Sequence, residues 1–218
     1  MSRLVIIADD HPLFRAALRQ AVTQTVSGVN IIEADSITAL QQAVEANPEA
    51  DLLLLDLNMP GAHGFSGLVF MRGQYPALPV VVISGSEDPP IMRRAIEHGA
   101  AGFIPKSSPL PTISEAIQDV LNGEIWLPPE MGAQLQQIDT AANDFSERLA
   151  SLTPQQFRVL GMLAEGLLNK QIAYELDVSE ATVKAHMTAV FKKLGVRNRT
   201  QAVIAMQQLE VEQPSSPN

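Results

Sequence analysis

Cysteine is absent from this chain of 218 residues. That excludes disulfides and cysteine-ligated zinc, and it fits a reducing cytosol. No apolar run approaches the roughly 20 residues that a membrane span requires. The opening MSRLVIIADDHP turns acidic too soon for a signal peptide. Glycine, proline and serine are not abundant enough for a disordered or fibrous chain. Positive charge is scarce as well. The 15 Lys and Arg face 24 Asp and Glu, a formal charge of −9, which at face value argues against nucleic acid. What is present is 46% apolar residues, enough to build real cores. The length fits one large domain or two smaller ones. The expectation is a soluble cytoplasmic protein without a membrane partner.

The distribution of charge says more than its sum. Residues 1–125 carry 7 Lys/Arg against 14 Asp/Glu, and residues 149–218 carry 7 against 6. Residues 182–200 hold Lys184, Lys192, Lys193, Arg197 and Arg199 and no acid. An acidic front and a locally basic back predict two domains with different partners.

The front half alternates between two patterns. Short β-rich runs occur at 4–8, 29–34, 51–55, 79–84 and 101–104. Helical spacing fills 13–25, 36–46, 64–74, 89–98 and 110–122. Strands that alternate with helices predict a doubly wound, five-stranded parallel sheet covered on both faces. The unbroken runs LVII, LLLL and VVVI suit central strands buried on both sides. Residues 126–148, with Pro-Pro and a Gln-rich patch, are assigned to a linker. From 152 onward the pattern is helical. Thr153-Pro154 marks one start, Ser179 caps another, and Gly195 is a stop. Four helices are predicted, with the last over about 200–209. The expected domains are therefore 1–125, the linker 126–148, 149–210, and a disordered tail at 211–218.

Ligands of a doubly wound sheet bind at the carboxyl ends of its strands. Those ends carry Asp9 and Asp10, then Asp56, then Ser84, then Pro105-Lys106. Three close carboxylates repel one another and call for a cation. Mg²⁺ suits oxygen ligands of this kind. A carboxylate held beside it can attack phosphorus and form an acyl phosphate, with the lysine and the hydroxyl holding the phosphoryl oxygens. A lone acid after an apolar strand is ordinarily a solvated strand end; the ordered set of strand-end residues argues for the site. His11 reads as a loop or helix-start residue, and His63 and His98 as surface residues.

Over residues 3 to 122 this constellation resembles the receiver domain of bacterial two-component response regulators. The resemblance implies a strand order of 2-1-3-4-5. It implies that Asp9 and Asp10 help bind Mg²⁺, that Asp56 accepts phosphate from the histidine of a partner sensor kinase, and that Asn58 lends its backbone carbonyl to the metal. Ser84 and Lys106 would contact the phosphoryl group. Phe103 falls at the aromatic switch position whose rotamer follows Ser84; a phenylalanine there removes any tyrosine-specific hydrogen bond.

In the basic region, Val183, Met187, Val190, Phe191 and Leu194 recur at spacings of three and four and form a buried stripe. Lys184, Ala185 and Thr188 share another face, with Lys192 further along. Small, polar and basic residues on one helix face suit the DNA major groove. The preceding short helix and the turn at 177–179 complete a helix-turn-helix. The run LTPQQFRVL, then NKQIAYEL, then VSEATVKAHMTAVFKKLGVRNRTQAV resembles the DNA-binding domain of the NarL/FixJ (LuxR-type) family. By that resemblance 180–194 is the recognition helix, and Lys184, Ala185 and Thr188 contact bases. Asn169, Lys170, Thr182, Lys192 and Arg199 meet the backbone, and the last helix supplies a dimer contact. Gln156 stands where the family often has an acid, which is expected to loosen an internal polar contact.

The combined expectation is not an enzyme. It is a transcription factor that binds double-stranded DNA, is switched by a sensor histidine kinase, and forms a homodimer when phosphorylated, with RNA polymerase as a further partner. Two rivals stand beside it. One is a constitutive DNA-binding protein with a vestigial receiver. The other is a haloacid-dehalogenase-type phosphatase, which wants an acid where this chain has Asn58.

Overall fold

The structure is a computed structural model that describes residues 3–129 and 144–210. The strands are β1 (Leu4–Ala8), β2 (Asn30–Ala34), β3 (Leu52–Asp56), β4 (Val80–Ser84) and β5 (Gly102–Pro105). They form one parallel sheet in the order β2-β1-β3-β4-β5, the doubly wound arrangement that the alternating pattern predicts. Helices α1 (Pro12–Thr25), α2 (Ile37–Ala46), α3 (Ser66–Gln74), α4 (Pro89–Glu97) and α5 (Leu110–Leu121) follow the strands. An all-helical half comes next: α6 (Asp144–Ala150), α7 (Pro154–Ala164), α8 (Asn169–Glu175), α9 (Glu180–Leu194) and α10 (Arg199–Gln207).

The unbroken apolar runs divide by parity between the two faces of the sheet, as a period of two requires. Val5, Ile7, Leu52, Leu54, Val81 and Ile83 pack with Leu18 and Val22 of α1 and with Ile113 and Ile117 of α5. Ile6, Leu53, Leu55, Val80 and Val82 pack with residues of α2, α3 and α4. Each fully buried side chain of this size contributes about 1.5–3 kcal/mol. That holds the strands, and so their carboxyl ends, in register.

The predicted linker divides into three parts. Trp126 lies along the outer edge of β5. Its N–H donates to the Ala101 carbonyl (3.1 Å), and its carbonyl accepts from the Phe103 N–H (3.1 Å). Its ring is buried with Val120 in the α1/α5 layer. Residues 130–143 lie outside the described residues, as does the tail at 211–218. Residues 144–148 open α6, a helix ahead of the four that the sequence predicts.

Gln156 makes a polar contact of its own. Its side chain accepts from the Thr153 N–H (3.1 Å), while its own N–H donates to Thr153 Oγ1 (3.3 Å). This is a complete capping box, a motif that takes either glutamate or glutamine at this position. Ser179 caps α9 through the Thr182 N–H. Gly195 ends α9 at φ 72°, a left-handed conformation that glycine adopts without a Cβ penalty.

The two halves touch. All of Ser66–Met71 in α3 is buried, whereas a surface helix would bury one stripe. The outer face of α3 is covered by α6 and α7. Phe70 stacks on Phe157 with centroids 4.2 Å apart. Gln74 Nε2 donates to the Ala150 (2.7 Å) and Leu152 (3.1 Å) carbonyls. Gly73 leaves room for Ala150, and Gly161 of α7 leaves room for the Gly61 carbonyl.

Candidate functional site

The sheet register assembles the acid site. Ala8 lies opposite Leu55, so Asp9 emerges beside Asp56. Asp56 lies opposite Ile83, and Ser84 opposite Pro105. The next residues in line are therefore Ser84 and Lys106. Asp9, Asp56 and Ser84 are all buried.

Lys106 is the hub. Its Nζ lies 2.9 Å from Asp56 Oδ2 and 2.7 Å from Asp9 Oδ2. Burial raises the Asp56 pKa above the ordinary carboxylate value, against the opposing pull of Lys106 and the Asn58 N–H. Burial would lower the Lys106 pKa, but the contacts with Asp9 and Asp56 outweigh it and raise it. The resting site thus holds a cation beside a carboxylate, Asp56, that burial disfavours as an anion. Asn58 follows on an exposed turn, and its N–H donates to Asp56 Oδ1 (3.2 Å). Ser84 Oγ accepts from the Ser86 N–H (3.1 Å). Phe103 is fully buried in the layer with Val82 and Met92.

The donor set fits a hard divalent cation. Asp9, Asp10, His11 and Asp56 each offer a ligand atom, all within 4.8 Å of one another. Asp9 Oδ2 is buried against the Lys106 ammonium at 2.7 Å, and Asp10 Oδ1 against His11 Nδ1 at 2.6 Å. Carboxylate oxygens gathered this closely are what an oxygen-seeking ion such as Mg²⁺ takes.

The histidines depart from expectation. His11 precedes α1 as expected, but its Nδ1 leans on Asp10 Oδ1 at 2.6 Å. His98 is not a free surface residue. Its ring packs on Phe65 with centroids 5.3 Å apart. Burial, helped by the Arg94 charge, lowers its pKa to about 4. Its place at the end of α4, against an apolar ring, is the reason. His63 is partly buried, and its Nε2 has no partner.

The helical half presents a second surface. Val183, Val190 and Leu194 are buried and Met187 and Phe191 partly so, while Thr182, Lys184, Ala185, Thr188 and Lys192 are exposed on α9. Lys170 is exposed at the start of α8, with Asn169 partly buried beside it. Arg199 differs from this set, because its Nη2 donates to the Leu163 carbonyl (3.1 Å). The Asp177 turn between α8 and α9 has φ 50°.

Sequence reasoning missed the residues that join the halves. These include Phe65, Phe70, Arg94, Phe157 and Glu165. One signal was available: LVFM at 68–71 is apolar on every side of a helix, which predicts a second covering layer.

Among the described residues, no helix is long and apolar enough to cross a membrane. A family model described as response regulator receiver domain matches residues 5–118. A second, described as bacterial regulatory proteins, luxR family, matches residues 150–206. The chain is 41% identical over 208 residues to the glycerol metabolism activator of Pseudomonas putida, covering 92% of this chain and 93% of that protein. It is 31% identical over 206 residues to the nitrate/nitrite response regulator protein NarL of Escherichia coli K12, covering 94% of each. A solved structure of RcsB from Salmonella enterica serovar Typhimurium, bound to promoter rprA in the presence of phosphomimetic BeF3−, is similar with a TM-score of 0.56 and 25% identity. That match covers 95% of this chain and 100% of the other.

Proposed function

The chain belongs to the bacterial response regulators that join a receiver domain to a LuxR-family domain, a family of transcriptional regulators and not of enzymes, and from this we propose that Asp56 is a phosphoacceptor that controls DNA binding by α9. The observation that carries the reading is Lys106, held between Asp9 and Asp56 at the carboxyl end of the sheet.

A sensor histidine kinase supplies the phosphoryl group. A carboxylate oxygen of Asp56 attacks phosphorus, the bond from phosphorus to the donor imidazole nitrogen breaks, and that nitrogen keeps the electron pair. Asp9, Asp10, Asp56 and the Asn58 carbonyl would hold Mg²⁺. When bound, the ion offsets the negative charge of the carboxylates and of the incoming phosphoryl oxygens. Lys106 exchanges its carboxylate contacts for a phosphoryl oxygen. The Ser84 hydroxyl turns toward another, and Phe103 moves into the space behind it. The packing around α4, β5 and α5 then shifts between two populations, biased by one local change of charge.

At the other end, Lys184, Ala185 and Thr188 enter the major groove, and Asn169, Lys170, Thr182, Lys192 and Arg199 serve the phosphate backbone. The receiver at 1–125 restrains the DNA-binding domain at 149–210 in the unphosphorylated chain. Phosphorylation releases it to dimerise through α10 on an operator of two half-sites, where RNA polymerase is the further partner. The linker at 126–148 permits the rearrangement.

The test is phosphoryl uptake from acetyl phosphate with Mg²⁺ or EDTA, beside Asp56→Ala, resolved on a phosphate-affinity gel. The expected outcome is Mg²⁺-dependent labelling that the variant loses. Labelling that survives in Asp56→Ala would refute the assignment.

A further inference from the structure

We propose that Thr188 reads the methyl group of a thymine, and so decides one base of the half-site. The inference rests on the function proposed above, since it names what α9 recognises at that position and by which atoms. Helix α9 turns Lys184, Ala185, Thr188 and Lys192 to solvent. Ala185 and Thr188 are three residues apart and so stand beside each other on one face. Lys184 and Lys192 flank them along the helix. A lysine brings a charge that meets the phosphates of any sequence, or the acceptor edge of a guanine. The two short side chains between the lysines are where the finer reading of a groove falls.

The threonine hydroxyls of this face are already in use. Thr188 Oγ1 donates to the Lys184 carbonyl (2.9 Å), one turn back along its own helix. This back-bond selects one of the few staggered positions open to a β-branched side chain. The proton that a base acceptor would need is spent on the backbone. The Cγ2 methyl is the group that the side chain then offers to a groove. Thr182 is engaged in a similar way at the start of the helix. Its Oγ1 lies 2.9 Å from Ser179 Oγ, inside the cap that opens α9. The Ala185 side chain, next to Thr188, is a methyl with no polar atom at all.

Two adjacent methyl groups on an exposed helix face have one apolar partner in the major groove. The C5-methyl of thymine is the apolar group that base edges show there, and alanine and threonine methyls suit it. The edges of guanine, adenine and cytosine present acceptors and amino groups instead. An amino group pressed dry against a methyl loses its water and gains no partner, which costs affinity. The methyl contact also involves no charge. It displaces no counterions, so its share of the binding does not change with salt, unlike that of Lys184 and Lys192. A hydroxyl oxygen whose proton is spent still accepts, and a variant that lacks the oxygen separates that reading from the methyl.

The test uses the full chain, treated with acetyl phosphate and Mg²⁺, and a duplex that it enriches from a random library. Each thymine of that duplex is replaced in turn by deoxyuridine, which removes the C5-methyl and leaves the pairing edge intact. Fluorescence anisotropy reads the affinity of wild type, Thr188→Ser and Thr188→Val. At one thymine of each half-site the replacement is expected to weaken wild-type binding about fourfold, the worth of one buried methyl group. Thr188→Ser keeps the hydroxyl and loses the methyl. It should bind the thymine duplex about fourfold more weakly for each half-site and no longer distinguish thymine from uracil there. Thr188→Val keeps the methyl and loses the oxygen, and it should still distinguish them. The ratio of the two affinities should hold as salt rises while both affinities fall. Tolerance of uracil at every thymine by wild type overturns the proposal. So does a uracil penalty that Thr188→Ser retains in full at every position. A Thr188→Val chain that loses the distinction overturns it as well, because the oxygen would then be required. Enrichment of no sequence, with Asp56 labelled in the same preparation, removes DNA reading by α9 from the function proposed above and this inference with it.

Discussion

Replacing Lys106 with methionine keeps most of the aliphatic stem and removes the charge. In wild type that charge lies 2.7 Å from Asp9 and 2.9 Å from Asp56. Without it, two buried carboxylates face each other, with ligand oxygens no more than 4.8 Å apart. At an effective dielectric constant of about 20 their repulsion at that range is roughly 3.5 kcal/mol. Breaking a buried ion pair costs about 3–5 kcal/mol. The Lys106 side chain is still 19% exposed, which places the expected loss near the lower figure. Burial already raises the Asp56 pKa, so ionised Asp56 subtracts stability above its unfolded value. That penalty is relieved as pH falls through the raised folded pKa. The deficit of Lys106→Met should therefore shrink in acid and be largest at neutral pH. It should also shrink with Mg²⁺, because binding to the folded state alone adds stability and the variant has no lysine competing for the same oxygens. Urea unfolding followed by circular dichroism, at neutral and acid pH with EDTA or Mg²⁺, measures all of this. A loss under about 1 kcal/mol in EDTA, near what an exposed pair is worth, would refute the reasoning. So would equal stabilisation of both proteins by Mg²⁺.

Three further outcomes are expected. Lys184→Ala, at an exposed position of α9, should weaken duplex binding by about 1–3 kcal/mol if the lysine reads a base edge; its stability should stay within about 0.5 kcal/mol of wild type, and fluorescence anisotropy with parallel melting separates the two. His98 has a folded pKa near 4, below its ordinary 6.5, so the unfolded chain takes up the proton first and stability falls as pH drops from 6.5 toward 4; His98→Asn should flatten that slope in pH-dependent urea titrations. Trp126→Ala should cost about 3–5 kcal/mol, as large aromatic truncations in a core do, and should speed amide exchange at Phe103, whose N–H the Trp126 carbonyl accepts; ordinary protection at Phe103 would count against the edge pairing.

The strands and the acid site were readable in advance for one physical reason. A strand buried on both faces must be an unbroken apolar run, and where the run stops, its first polar residue stands at the carboxyl end. LVIIA, LLLL and VVVI thus fixed the positions of Asp9, Asp56 and Ser84 before any coordinates. Thr153, Ser179 and Gly195 marked helix ends because caps need particular side chains or a left-handed residue. The stripe from Val183 to Leu194 fixed which face of α9 turns inward, and so which residues turn outward.

Packing between elements was not readable in this way. A helical period says which face is apolar but not what covers it. Helix α3 is buried all round because α6 and α7 lie on it, and the LVFM run predicted a cover without saying which. Trp126 was placed in the linker because Pro-Pro follows closely; an open edge on β5 and a hole beside Val120 drew it into the core. His98 was read as a surface residue, yet Phe65 packs against its ring. Arg199 reads as one more basic residue, yet its Nη2 donates to the Leu163 carbonyl. The chain alone thus determined the strand ends, the caps and the outward face of α9, because local sequence sets period and termini. Tertiary structure decided the lysine hub among the acids and the docking of the two halves. These depend on distances between residues that are far apart in sequence.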